Sequence, residues 1–73
     1  MRNILLDAVC KHAEGHIAKH KANIEIYLHH SVGIGEHSDI VEAIEIELEQ
    51  IAKYQDQIEI LNHYFPREKQ TIL

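Results

Sequence analysis

Two stretches of the chain carry apolar residues at the three-and-four spacing of an amphipathic helix, separated by a short run containing two glycines. In the second stretch Val41, Ile44, Leu48, Ile51, Gln55, Ile58, Asn62 and Phe65 share one face, apolar at six of the eight places. No glycine or proline interrupts residues 38 to 65, a run several times longer than an ordinary strand. The local alternation Ile44-Glu45-Ile46-Glu47-Leu48, strand-like when taken alone, therefore belongs to a helix. Ser38 or Asp39 can cap its start, with Glu42 three places after Asp39 as in a capping box. Pro66 stops it, because the residue before a proline is pushed out of the helical region.

The first stretch places Leu6, Cys10, Ala13, Ile17, His20, Ile24 and Tyr27 on one face, with Asn3 as the expected cap. Gly15 interrupts this helix at a cost of about 1 kcal/mol relative to alanine. Ala8, Gly15, Ala18 and Ala22 form a stripe of small residues; it reads either as a close-approach surface or, more commonly, as ordinary helix-forming alanine. The connection is short enough to make the helices antiparallel neighbours, and residues whose numbers sum to about 68 should then face one another. The expected layout is one all-α hairpin domain over 1–73: helix 1 at about 3–30, a turn at 31–37, helix 2 at about 38–65, and a frayed tail at 66–73.

The pattern supplies more apolar surface than one helix pair can bury. Ile-Glu-Ile occurs three times, at 24–26, 44–46 and 58–60, and Ile40, Tyr54, Leu61 and Tyr64 widen the second stripe toward a further neighbour. A chain of 73 residues forms a single small domain that needs a staple or a partner, and one cysteine excludes an intrachain disulfide. The expected assembly is an antiparallel helical hairpin pairing as a homodimeric four-helix bundle, through Ile40, Ile44, Leu48, Ile51, Tyr54, Ile58, Leu61 and Tyr64.

Charge changes the picture in one respect. Residues 1–30 hold four bases and three acids, whereas residues 36–64 hold one base and eight acids, so neither half offers the basic face that a nucleic-acid backbone requires. No nucleic acid is expected as a partner. The start, Met1 to Asp7, reaches an acid after three apolar residues, so neither a signal sequence nor a membrane span is expected, and the single cysteine fits a cytoplasmic setting.

Histidine is the compositional anomaly, at seven of 73 residues. His12, His16 and His20 recur every four residues, and neighbours in such a row can share a metal ion as two imidazoles one turn apart. All three cannot grip one ion, since the row spans about 12 Å at 1.5 Å per residue. The hairpin alignment sets Glu49 opposite Lys19 and His20, and Asp56 opposite His12, which makes a His-His-carboxylate site conceivable against the commoner case of histidines decorating a helix flank. Gly33-Ile34-Gly35 lacks the third glycine and the preceding strand of a phosphate loop, so it reads as a turn and no cofactor is expected. Cys10, on the apolar stripe, reads as a buried inert thiol rather than a nucleophile served by His12 or His16. No catalytic residue stands out.

The segments His12-Ala13-Glu14-Gly15-His16-Ile17-Ala18-Lys19-His20, Val32-Gly33-Ile34-Gly35-Glu36-His37-Ser38-Asp39-Ile40 and Glu42-Ala43-Ile44-Glu45 resemble small uncharacterised proteins encoded by tailed phages of marine cyanobacteria. The resemblance implies a phage-encoded accessory protein of the host cytoplasm, with no assigned activity and no functional residues to carry over. The function expected from the chain is a non-enzymatic helical interaction module whose partners are a second copy and a host or virion protein. A histidine/carboxylate metal-binding bundle is the alternative.

Overall fold

The computed structural model describes residues 1–29 and 39–69 of the chain. Within them are two helices, α1 (Arg2–His29) and α2 (Ile40–Tyr64), and no strand. The expected turn at 31–37, the alternative cap Ser38 and the last four residues of the expected tail lie outside the described residues.

Local chemistry sets the limits of α2 as the sequence suggests. The Asp39 carboxylate accepts the Glu42 N–H at 2.9 Å, satisfying one of the donors that a helix start leaves open. At the other end the Phe65 N–H reaches the Leu61 carbonyl at 2.8 Å, and Pro66 follows without an N–H to continue the ladder. The start of α1 differs from expectation. Met1, not Asn3, stands at the cap position, its carbonyl accepting the Leu5 N–H at 3.1 Å.

Asn3 has another task. Its carboxamide donates to the Glu68 carbonyl at 3.1 Å and accepts the Glu68 N–H at 2.9 Å, so it holds the chain beyond Pro66. Arg2 donates to the Pro66 carbonyl at 2.8 Å, and Arg67 donates to Asp7 at 2.6 Å and to the Cys10 sulfur at 3.2 Å. Residues 66–69 are thus docked along the first turns of α1 rather than frayed, a correction whose cause is polar pairing with side chains about sixty positions away in sequence. Hydrophobic periodicity carries no information about so short an extended piece.

The helices lie antiparallel, with His20 against Glu47 and His16 against Tyr54, pairings that fit the expected alignment to within about two residues. On α1 the whole expected stripe turns inward: Cys10, Ala13 and His20 are buried, and Leu6, Ile17, Ile24 and Tyr27 are half-buried. On α2 the inward face is rotated by about 60° from the expected stripe, at 3.6 residues per turn. Ile40, Ile44, Glu47, Ile51, Tyr54, Ile58 and Leu61 are half-buried, whereas Val41, Leu48, Gln55, Asn62 and Phe65 are exposed. Ile44, Ile51 and Ile58 belong to both faces, so apolar spacing alone left the rotation open. The pairing of Glu47 with His20 and of Tyr54 with His16 closes it.

This geometry explains the repeated triplet. Residues two apart on a helix lie about 200° apart, so each Ile-Glu-Ile sends one isoleucine inward and one outward. Ile24, Ile44 and Ile58 are half-buried, while Ile26, Ile46 and Ile60 are more than half exposed. The fold is one layer of helix, about 14 Å deep across the Cα trace in its thinnest direction. Among the described residues no large side chain is fully buried, and α2 buries none at all.

Substitution of Asn3 separates the two readings of this residue. Serine is a competent helix cap, but its single, shorter-reaching hydroxyl does not replace the separate carboxamide N and O that meet the Glu68 carbonyl and N–H, so Asn3→Ser is expected to lower stability by about 1 kcal/mol in urea unfolding. Unchanged stability would restore the cap reading.

Candidate functional site

The chemistry-bearing side chains of the described residues gather along one flank of α1, at the three histidines that rise one turn at a time. The structure divides this row into two units. The inner unit is His20, buried between the helices, whose Nδ1 lies 3.0 Å from a Glu47 carboxylate oxygen; the second oxygen accepts the Asn23 carboxamide at 2.6 Å. Burying a carboxylate is costly unless its oxygens are partnered, and both are. The side chains of His20 and Glu47 are 11 and 12% exposed, and no buried side-chain polar atom among the described residues is left without a partner.

The outer unit is His12 with His16. Their Nε2 atoms are 3.2 Å apart and their rings meet at 85° with centroids 4.5 Å apart. The His16 ring is in turn stacked on Tyr54, at 4.3 Å and 2° between planes, and the Lys53 ammonium lies 5.1 Å from the Tyr54 centroid. His16 and His20 are nearly parallel but 6.3 Å apart, so the row does not close on one point. A shallow hollow lined by Lys11, His12, Gly15, His16 and Lys19 opens beside the outer pair. Around the position a Gly15 side chain would take, no heavy atom lies within 4 Å apart from its two chain neighbours and the adjoining helix backbone.

The candidate metal residues are therefore only partly brought together: His12 and His16 are adjacent, while His20 is engaged by Glu47. Among the described residues no group of three or more His, Cys, Asp or Glu side chains could hold a metal ion. The carboxylate that meets the row is Glu47, not Glu49 or Asp56, both of which are exposed. Residues 47 and 49 sit on either side of the aligned position and point in opposite directions, so the rotation of α2 decides between them. Cys10 is buried as expected, 8% exposed, and its sulfur accepts from Arg67 rather than facing an imidazole.

Of the proposed contact residues, Ile40, Ile44, Ile51, Tyr54, Ile58 and Leu61 lie half-buried on the inward side of α2, and Leu48 and Tyr64 are exposed. The structure adds an apolar groove that the sequence did not suggest. It runs between the helices and is lined by Val9, Gln57, Ile60, Leu61 and Phe65. Val9 belongs to the same helical row as His12 and His16, so groove and histidine pair share one side of the hairpin. Residues 66–69 cross the other side, where Arg67 meets Asp7, Cys10 and Asn62.

The family models, curated proteins and solved structures compared with the chain yield no match. No described helix is long and apolar enough to cross a membrane.

Two groups here respond to acid in the same sense. Hydrogen bonds from His20, and then from Asn23, hold the Glu47 carboxyl below its ordinary value. Desolvation, with the charges of His12, Lys19, His20 and Lys53 adding to it, lowers His16 below 6.5. A depressed histidine means that the unfolded chain takes up its proton first, so stability starts to fall as pH drops below about 6.5. A depressed carboxyl loses its contribution later, as pH falls below 4.5 and through the lower folded value. Stability should accordingly decline in two acid steps. Urea unfolding from pH 8 to 3 is expected to show both in the native sequence and only the upper one in Glu47→Gln; a Glu47→Gln profile identical to the native one would refute the assignment.

Proposed function

We propose that the chain is a non-enzymatic interaction module that works as a self-associating helical hairpin, two copies packing as an antiparallel four-helix bundle. The observation carrying this reading is how small the core is: two helices 28 and 25 residues long bury Cys10 and Ala13 but no large apolar side chain completely. A helix pair has one line of contact, and residues beside that line stay half-covered until a second layer closes over them. The half-buried face of α2, with Ile44, Ile51, Tyr54, Ile58 and Leu61, is the surface such a layer completes.

The second copy settles on the side bearing the groove. Ile60 and Phe65 are 55 and 52% exposed there and Val9 is 47% exposed, a cluster of large apolar groups rather than scattered ones. The opposite side is occupied near the chain ends by residues 66–69. A two-fold axis along the groove would also set the outward isoleucines of one copy near those of the other, as a self-complementary interface requires. The further expected partner, a host or virion protein, would meet the outer faces of the assembled bundle.

Sedimentation or light scattering tests this reading. The native chain is expected at twice the 8.5 kDa chain mass at micromolar concentration. Ile60→Glu should shift it toward the monomer, whereas Val41→Glu, at a site 69% exposed and away from the groove, should leave the mass unchanged. A native monomer, or equal effects of the two substitutions, would overturn the proposal.

A further inference from the structure

We propose that His12 and His16 form a two-point chelate for a divalent transition metal, with the remaining coordination positions open to the hollow beside Gly15. The inference rests on the geometry of the pair rather than on the proposed self-association, although the pair shares the side of the hairpin that bears the groove. Two imidazole nitrogens bound to zinc at about 2.0–2.1 Å, with a tetrahedral angle between them, lie about 3.4 Å apart. At a square-planar angle the same bonds place them about 2.9 Å apart. The observed Nε2 separation of 3.2 Å falls between these values. Without metal, one ring must donate its Nε2 proton to the other; on binding, that ring carries its proton on Nδ1 and both Nε2 lone pairs become free for the ion.

The surroundings favour the pair as a ligand set. Stacking on Tyr54 fixes the plane of His16, so less freedom is lost on binding than for a solvated ring. Gly15, one position before His16, contributes no side chain to the hollow and leaves room for further ligands. The Lys11 ammonium lies 3.5 Å from Glu14, which offsets one of the two cations at the rim. Lys19 remains as a like charge, and the described residues offer only two donors here, so this is an open surface site rather than a closed structural one. His20 is no third ligand, since its ring centroid lies 6.3 Å from that of His16, further along the row and buried between the helices.

A donor set of neutral imidazoles selects copper, nickel and zinc over magnesium and calcium, with copper(II) bound most tightly. The open positions face outward, so a bound ion offers itself to a carboxylate or imidazole from outside the chain.

The test is calorimetric titration of copper(II), nickel(II) and zinc(II) into the native chain, His12→Ala, His16→Ala and His63→Ala, with helical circular dichroism recorded on each. Losing one arm of a chelate removes the intramolecular advantage of the second, so both His12→Ala and His16→Ala should weaken the tightest site at least about tenfold. His63→Ala should bind as the native chain does. His16→Ala also removes the Tyr54 stack, so the exposed His12 is the deciding position: native affinity for all three metals in a folded His12→Ala chain would overturn the proposal.

Discussion

Two helices side by side have one line of contact, and every other feature of this protein answers to that constraint. A single layer cannot surround its own apolar side chains, so the large apolar residues facing the partner helix stop at half-burial and those beside them remain exposed. Small domains already bury a low share of their surface, and this chain, with one cysteine, has no intrachain disulfide to offset that deficit. The repeated Ile-Glu-Ile makes the shortage of cover explicit, since each copy commits one isoleucine to the hairpin and presents another outward.

With so little core, polar contacts carry the specificity. Apolar ridges alone would permit α2 to rotate or slide, because Ile44, Ile51 and Ile58 can serve more than one inward face. Glu47 cannot, since its two oxygens are matched by His20 and Asn23 at fixed positions on α1. Moving it would strand a carboxylate and an imidazole in a poorly solvated seam. At the far end Arg67, bonded to Asp7 and to the Cys10 sulfur, together with Asn3 on Glu68, pins the chain after the helix and covers Cys10. The buried node in the middle and the strap at the end set register at two separated points.

How far the sequence reveals this depends on the kind of interaction. The limits of α2 were legible because they are local, with Asp39, Pro66 and uninterrupted helical spacing acting within a turn or two; the cap of α1 was not, because Asn3 is engaged by Glu68. The inward face of α1 was legible because its small and apolar residues form one stripe from Leu6 to Tyr27. The face of α2 was only partly so, because its apolar residues spread over a wide arc and the choice within it rests on Glu47 and Tyr54, whose partners lie in the other helix. The docking of residues 66–69 was illegible for the same reason carried further, since its contacts span about sixty residues and follow no period. In the histidine row, the spacing correctly denied a common centre to all three rings. It could not show that His12 and His16 bring their nitrogens together while His20 turns to a carboxylate.

The central claim is that the hairpin is half of a folding unit, which makes its stability a function of concentration. Thermal unfolding followed by circular dichroism over a hundredfold dilution series addresses it most directly. If a second copy supplies the missing layer, Tm must rise steadily with chain concentration, because mass action favours the folded dimer over two unfolded chains. A single cooperative transition at the same Tm throughout the series, with a monomeric mass at each concentration, would show that one layer suffices and contradict the account.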